Sequence, residues 1–135
     1  MAKLTQIEGI GEKYGEKLQA VGVTTQEKLL EAGGTKKGRK ELAEKSGISE
    51  KLILGWINRA DLARVKGIGE EYADLLELAG VDTVPELAQR NAANLHTRIR
   101  EVAEERGNVV RRVPSPAEVE KWVAQAKELP RAINY

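Results

Sequence analysis

Two short stretches hold the residues whose types and spacing could do chemistry: Gly9-Ile10-Gly11 and Gly67-Ile68-Gly69. In each, two glycines bracket an isoleucine, and Glu12-Lys13-Tyr14 or Glu70-Glu71-Tyr72 follows directly. Glycine permits the positive φ of a tight turn and leaves bare backbone that a partner can approach closely. The isoleucine between is expected to anchor the turn in a core. Amide N–H groups of the turn, and of the first turn of the following helix, are then expected to face outward. There the helix dipole favours an anion. The chemistry on offer is the holding of a phosphate by backbone donors.

Charge separates the two stretches. Lys13 and Lys17 follow the first pair of glycines, with Glu12 and Glu16 beside them. Gly67 to Gln89 carries Glu70, Glu71, Asp74, Glu77, Asp82 and Glu86 and no Lys or Arg, so only Arg64 and Lys66, just before Gly67, offer positive charge. A helix that opens Glu-Glu neutralises its own positive end and repels phosphate. The first stretch is therefore the expected phosphate contact. Thr35-Lys36-Lys37-Gly38-Arg39-Lys40 is the densest basic cluster, set where a glycine-punctuated loop enters a helix. Lys36, Lys37, Arg39 and Lys40 beside exposed backbone suit phosphate contact. A looser set, Arg98, Arg100, Arg106, Arg111 and Arg112, is diluted by Glu101, Glu104 and Glu105 and reads as solvated charge.

Other chemistries lack their residues. There is no cysteine, which removes disulfides, thiolate metal sites and thiol nucleophiles together. His96 is the single histidine, with nothing to complete a metal or catalytic site. Acids follow helix-face spacing without a metal-gathering arrangement. Ser46, Ser49 and Ser115 fall at expected helix ends, where capping accounts for them. Gly9-Ile10-Gly11 lacks the further glycine and the preceding strand of a dinucleotide loop. No enzyme activity, cofactor, metal or small-molecule substrate is expected. A net charge of +1 argues against a strongly basic nucleic-acid binder, so any electrostatic attraction must be local.

These turns need elements to hold them, and the sequence supplies the same set twice. Ile7–Ala32 aligned on Val65–Arg90 gives ten identities in 26 positions without a gap, Gly9/Gly67, Tyr14/Tyr72 and Gly22/Gly80 among them. After a shift near Gly107–Pro114, expected to be a loop, Ser49 and Trp56 align with Ser115 and Trp122. Leu18 and Val21 continue a helical stripe that Gly22 ends. Thr24-x-x-Glu27 and Thr83-x-x-Glu86 read as capping boxes, and Gly47 closes a helix over Lys37–Ser46. Ser115-Pro116-Ala117-Glu118 is a strong helix start. Leu52, Ile53, Trp56, Ile57 and Ala60 form one apolar stripe, and Val119, Trp122, Val123 and Ala126 another. Helical spacing assigns both tryptophans to core packing rather than to base stacking. No period-two alternation points to a sheet.

Leu4–Tyr14 and Leu62–Tyr72 each resemble the helix-hairpin-helix motif, an apolar-x-x-apolar-x-Gly-apolar-Gly pattern leading into a helix. The resemblance implies hairpins that grip the DNA phosphate backbone without reading sequence, a pair of them engaging both strands. Trp56–Leu62 with the second Gly-Ile-Gly, then Ala79–Val84 and Leu87–Asn91, is similar to the family catalogued as domain of unknown function 4332. The expected fold is all-α, with two tandem helix-hairpin-helix repeats packed as one compact helical protein. The first repeat is expected over residues 1–62, the second over 63–129, and a C-terminal tail over 130–135.

The expected function is sequence-independent binding of nucleic acid, double-stranded DNA first. Its residues are Gly9, Ile10, Gly11, Lys13, Lys17, Lys36, Lys37, Arg39, Lys40, Arg64, Lys66, Gly67 and Gly69. The alternative is a protein-binding adaptor that uses the acidic second repeat. The start, Met1-Ala2-Lys3-Leu4, shows no signal-peptide core, and no apolar run approaches the ~18 residues of a membrane span. Cytoplasm is the expected compartment.

Overall fold

Apolar residues spaced three and four apart make this chain helical. The computed structural model describes residues 3–7, 9–106 and 112–134, the side chain of Glu70 excepted. Among the described residues eight α-helices form: α1 (Glu12–Ala20), α2 (Gln26–Gly33), α3 (Lys36–Ser46), α4 (Glu50–Leu62), α5 (Glu70–Leu78), α6 (Val84–Ala88), α7 (Ala92–Arg106) and α8 (Pro116–Glu128). A short 3-10 turn, Leu4–Gln6, precedes α1. No strand occurs among these residues, and the sole extended pairing there is an isolated bridge between Lys3 and Thr25. The expected loop at Gly107–Pro114 lies mostly outside the described residues, Arg111 included. No helix of the described part is long and apolar enough to cross a membrane.

The chain divides into two units, Met1–Asp61 with Arg131–Tyr135, and Leu62–Pro130. Each has its own core. In the first, Leu18, Leu29, Ile53 and Ile57 are fully enclosed, with Ile10 and Trp56 beside them. In the second, Leu76, Leu87, Leu95 and Ile99 are enclosed, with Ile68 and Trp122 in the same cluster. In the first unit α3 packs on α1 and α2; in the second α8 packs on α6 and α7. The stripe on α4 is narrower than its sequence suggests, because Leu52 is 41% exposed.

The last residues complete the first core. Ile133 is buried there, and the Asn134 N–H donates to the Gly34 carbonyl at 2.7 Å. Arg39 lies beneath, only 5% exposed, and its guanidinium donates to the carbonyls of Gly33 and Asn134 at 3.0 Å each. A Cβ at Gly33 would overlap the Ile57 side chain, so this glycine is set by close packing.

Helix starts follow a common rule, with differences from the expected caps. Thr25, not Thr24, caps α2, its hydroxyl accepting from the Lys28 N–H at 3.1 Å. Thr83 precedes α6 without a side-chain cap, and Pro85 removes one of the amides that would need it. At α8 the expected box is present: Glu118 N–H donates to Ser115 Oγ, and Ser115 N–H donates to Glu118 Oε1. Arg112 adds two bonds to the same carboxylate, at 2.7 and 3.1 Å.

The Arg112 hydrogen bond, then the Ser115 amide, hold the Glu118 carboxyl down at about 2 from the ordinary 4.5. A depressed acid stabilises the fold above its unfolded pKa and loses that contribution as pH falls. The contribution is therefore full above about pH 4.5 and fades on the way down to about 2. Thermal unfolding of wild type and Glu118→Gln across acid pH checks this: the wild-type advantage shrinks over that interval and is gone at its lower end.

Candidate functional site

The first glycine turn is built by short-range backbone bonds. The Ile7 N–H donates to Leu4 O at 3.0 Å and the Ile10 N–H to Ile7 O at 3.1 Å, closing successive turns before α1. Gly9 sits between them at φ +93°, which L side chains rarely adopt. Ile7 and Ile10 are thereby turned into the core, while Gly9 and Gly11 stay exposed. In the second unit Val65 bonds Leu62 O, Ile68 bonds Val65 O, and Gly67 has φ +94°. Gly67 and Gly69 are exposed and Ile68 is buried.

Both turns open directly into a helix without a cap. Gly11 is the N-cap of α1 and Gly69 that of α5, and glycine has no side chain with which to accept from the first turn. Five other helices begin with a side-chain oxygen that accepts from the first turn, while α6 does not. Thr35 supplies it for α3, Ser49 for α4 and Asn91 for α7, with Thr25 and Ser115 as above. The first amides of an α-helix have no intrahelical acceptor. At α1 they open beside exposed Gly11, where an anion can take up the donors.

Under each turn lies a tryptophan. A Cβ on Gly9 would stand 3.2 Å from Trp56 Nε1, and one on Gly67 would stand 2.9 Å from Trp122 Nε1. Both indoles are buried, and each tilts against a tyrosine of the following helix with ring centroids 5.2 Å apart, Tyr14 on Trp56 and Tyr72 on Trp122. The core role expected for the tryptophans holds, but their nitrogen edges face the glycines. Spacing on α4 and α8 reveals the burial; only the fold reveals which edge meets the turn.

The basic residues divide by unit. Lys13 and Lys17 are exposed on α1, and Lys17 Nζ lies 5.8 Å from the Tyr14 ring centroid. Lys36, Lys37 and Lys40 are exposed on α3, which has no acid in its first turn. Arg39 leaves this set: its guanidinium is engaged by two backbone carbonyls inside the first unit. Arg64 and Lys66 belong to the second unit with Gly67 and Gly69.

Among the described residues, the second turn is tied to its own unit by several bonds. In the second unit the Lys66 N–H donates to Gln125 Oε1 at 2.9 Å, Arg64 donates to Pro130 O at 2.6 Å, and the Tyr72 hydroxyl donates to Arg112 O at 3.1 Å. Gln125, missed in the sequence, stands three residues after Trp122; three residues after Trp56 stands Arg59. That register was available from the aligned tryptophans. His96 lies against Pro114 O at 3.0 Å, a contact that ties α7 to the start of α8. Among the described residues no group of three or more His, Cys, Asp or Glu could hold a metal ion. A groove of about 510 Å³ in the second unit, lined by Arg90, Asn91, Val123 and Lys127 among others, includes no residue of the glycine turn.

The family model described as Domain of unknown function (DUF4332) matches residues 8–129. The chain belongs to that family. No curated protein and no solved structure matches it. Membership places both glycine turns inside the family's span without assigning them an activity.

Substitution at the glycines separates their roles. Gly9→Ala and Gly67→Ala force a Cβ onto positive φ and against an indole, and each is expected to cost about 1–3 kcal/mol. Gly11→Ala meets nothing within 4 Å and keeps φ −85°, so its cost is only the weaker cap, up to about 1 kcal/mol. Denaturant unfolding of the three variants tests the order. Equal losses at Gly9 and Gly11 would contradict it.

Proposed function

We propose that this protein binds nucleic acid without reading sequence, duplex DNA in the first place, by holding its phosphate backbone. Its two units are read as tandem helix-hairpin-helix repeats, and the first hairpin is the principal contact. Gly11 and the first amides of α1 supply fixed donors, and Lys13 and Lys17 add charge. Lys36, Lys37 and Lys40 extend the contact from α3. The observation that carries the reading is an uncapped helix start framed by exposed glycines, with exposed lysines on the helix it opens. α3 supports it independently. Two lysines at a helix N-terminus oppose the dipole, an arrangement that an incoming phosphate relieves.

The second hairpin contributes less in this reading. One of its amides is already bonded to Gln125, and α5 opens with Glu70-Glu71. Arg64 and Lys66 act as helpers at its edge. The protein is a binding module in this account, with no reaction assigned. A second reading, docking of a basic protein surface, draws on the exposed acids Glu71, Glu77 and Glu86. Nuclease-resistant capture of a partner, abolished by Glu71→Lys with Glu77→Lys, would favour it.

A salt series on a labelled DNA duplex tests the leading reading. With about two to four phosphates neutralised, log K should fall against log salt with a slope of about −2 to −4. Lys13→Glu with Lys17→Glu should flatten that slope by about 2 while leaving helicity intact. Absence of binding at low ionic strength and roughly micromolar protein would end the proposal.

A further inference from the structure

The indole N–H of Trp56 has no use in the packing of the first unit. Trp56 is 4% exposed, yet among the described residues no hydrogen bond engages its nitrogen. That nitrogen is also the indole atom nearest the space beside Gly9, at 3.2 Å against 4.0 Å for Cδ1. Tyr14, tilted on the ring at 58°, fixes this orientation. An indole N–H only donates, so its complement at the turn must be an acceptor. The nitrogen is not among the fully enclosed unpartnered polar atoms of the described residues, so it reaches the surface at the turn, where an arriving anion can meet it.

We infer that Trp56 Nε1–H is a side-chain donor to the phosphodiester held at the first glycine turn, so that the site combines backbone amides with one buried aromatic. This rests on the phosphate reading above and adds the residue that would orient the bound group. Gly9 then has a second duty, since any Cβ there would cover the indole nitrogen. Trp122 has the same edge against Gly67, but Gln125 holds the neighbouring Lys66 amide and the helix beyond begins with two glutamates. Trp56 and not Trp122 is the responsive indole.

The chain has two tryptophans, so its indole ¹H–¹⁵N spectrum holds two cross-peaks. On addition of a short DNA duplex at low ionic strength, the Trp56 indole proton moves downfield and that of Trp122 stays. Trp56→Phe keeps a ring for Tyr14 and lacks the donor; with helicity unchanged, it binds the duplex about tenfold more weakly. Should that variant not fold, the wild-type Trp56 cross-peak, assigned through its proximity to Tyr14, decides alone. If wild type binds while the Trp56 signal stays still or Trp56→Phe binds equally well, the indole is no donor and the backbone reading stands without it. If wild type does not bind, the phosphate reading itself falls.

Discussion

The arrangement of the first unit depends on one backbone constraint, a residue at φ +93° lying against the nitrogen edge of a buried indole. Only glycine meets both conditions without strain. With Gly9 in place, the chain reverses within a few residues, Ile7 and Ile10 enter the core from either side of it, and α1 starts at once. No residue remains between the turn and the helix to supply a capping side chain. Open amides are thus a consequence of how the turn is made, and the same constraint acts at Gly67 over Trp122.

The two similar turns differ in charge, Lys13 and Lys17 following the first and Glu70-Glu71 the second. The second is furnished with its own acceptors and tethers: Gln125 on the Lys66 amide, Pro130 O on Arg64 and Arg112 O on the Tyr72 hydroxyl. Arg112 is itself held by Glu118, so the tether of Tyr72 runs on into the cap of α8. These bonds give the second turn a structural role within its unit. Around the first, Tyr14 carries Lys17 over its ring, and α3 nearby in the packing presents Lys36, Lys37 and Lys40 to solvent. A net charge of +1 hides this asymmetry, because the acids of Gly67–Gln89 offset the lysines of the first unit.

Much of the helical layout was legible because its signals are local. Glycine spacing placed both turns, Gly47 ends α3 in the left-handed conformation, and Ser115-Pro116-Ala117-Glu118 starts α8 as read. The first threonine cap failed by a residue because Thr24 and Thr25 stand side by side and only the geometry selects between them, while Thr83 stands at the start of α6 as read but makes no cap bond. Arg39 failed for a different reason. In Lys36-Lys37-Gly38-Arg39-Lys40 every cation looks solvated, and of the two carbonyls that hold Arg39 inward, Gly33 and Asn134, the second lies far along the chain. Leu52 completes a helical stripe in sequence but lies past the edge of the core, and Gln125 meets its amide only through the fold.

The central claim is that the amides opening α1 receive a phosphate. A backbone ¹H–¹⁵N shift map of the whole chain, recorded as a DNA duplex is added, tests it most directly. The account expects the largest movements at Gly11, Glu12 and Lys13, smaller ones at the start of α3, and little at Lys66, whose amide Gln125 already holds. Movements confined to α5 and its acids, or none along α1, would contradict it.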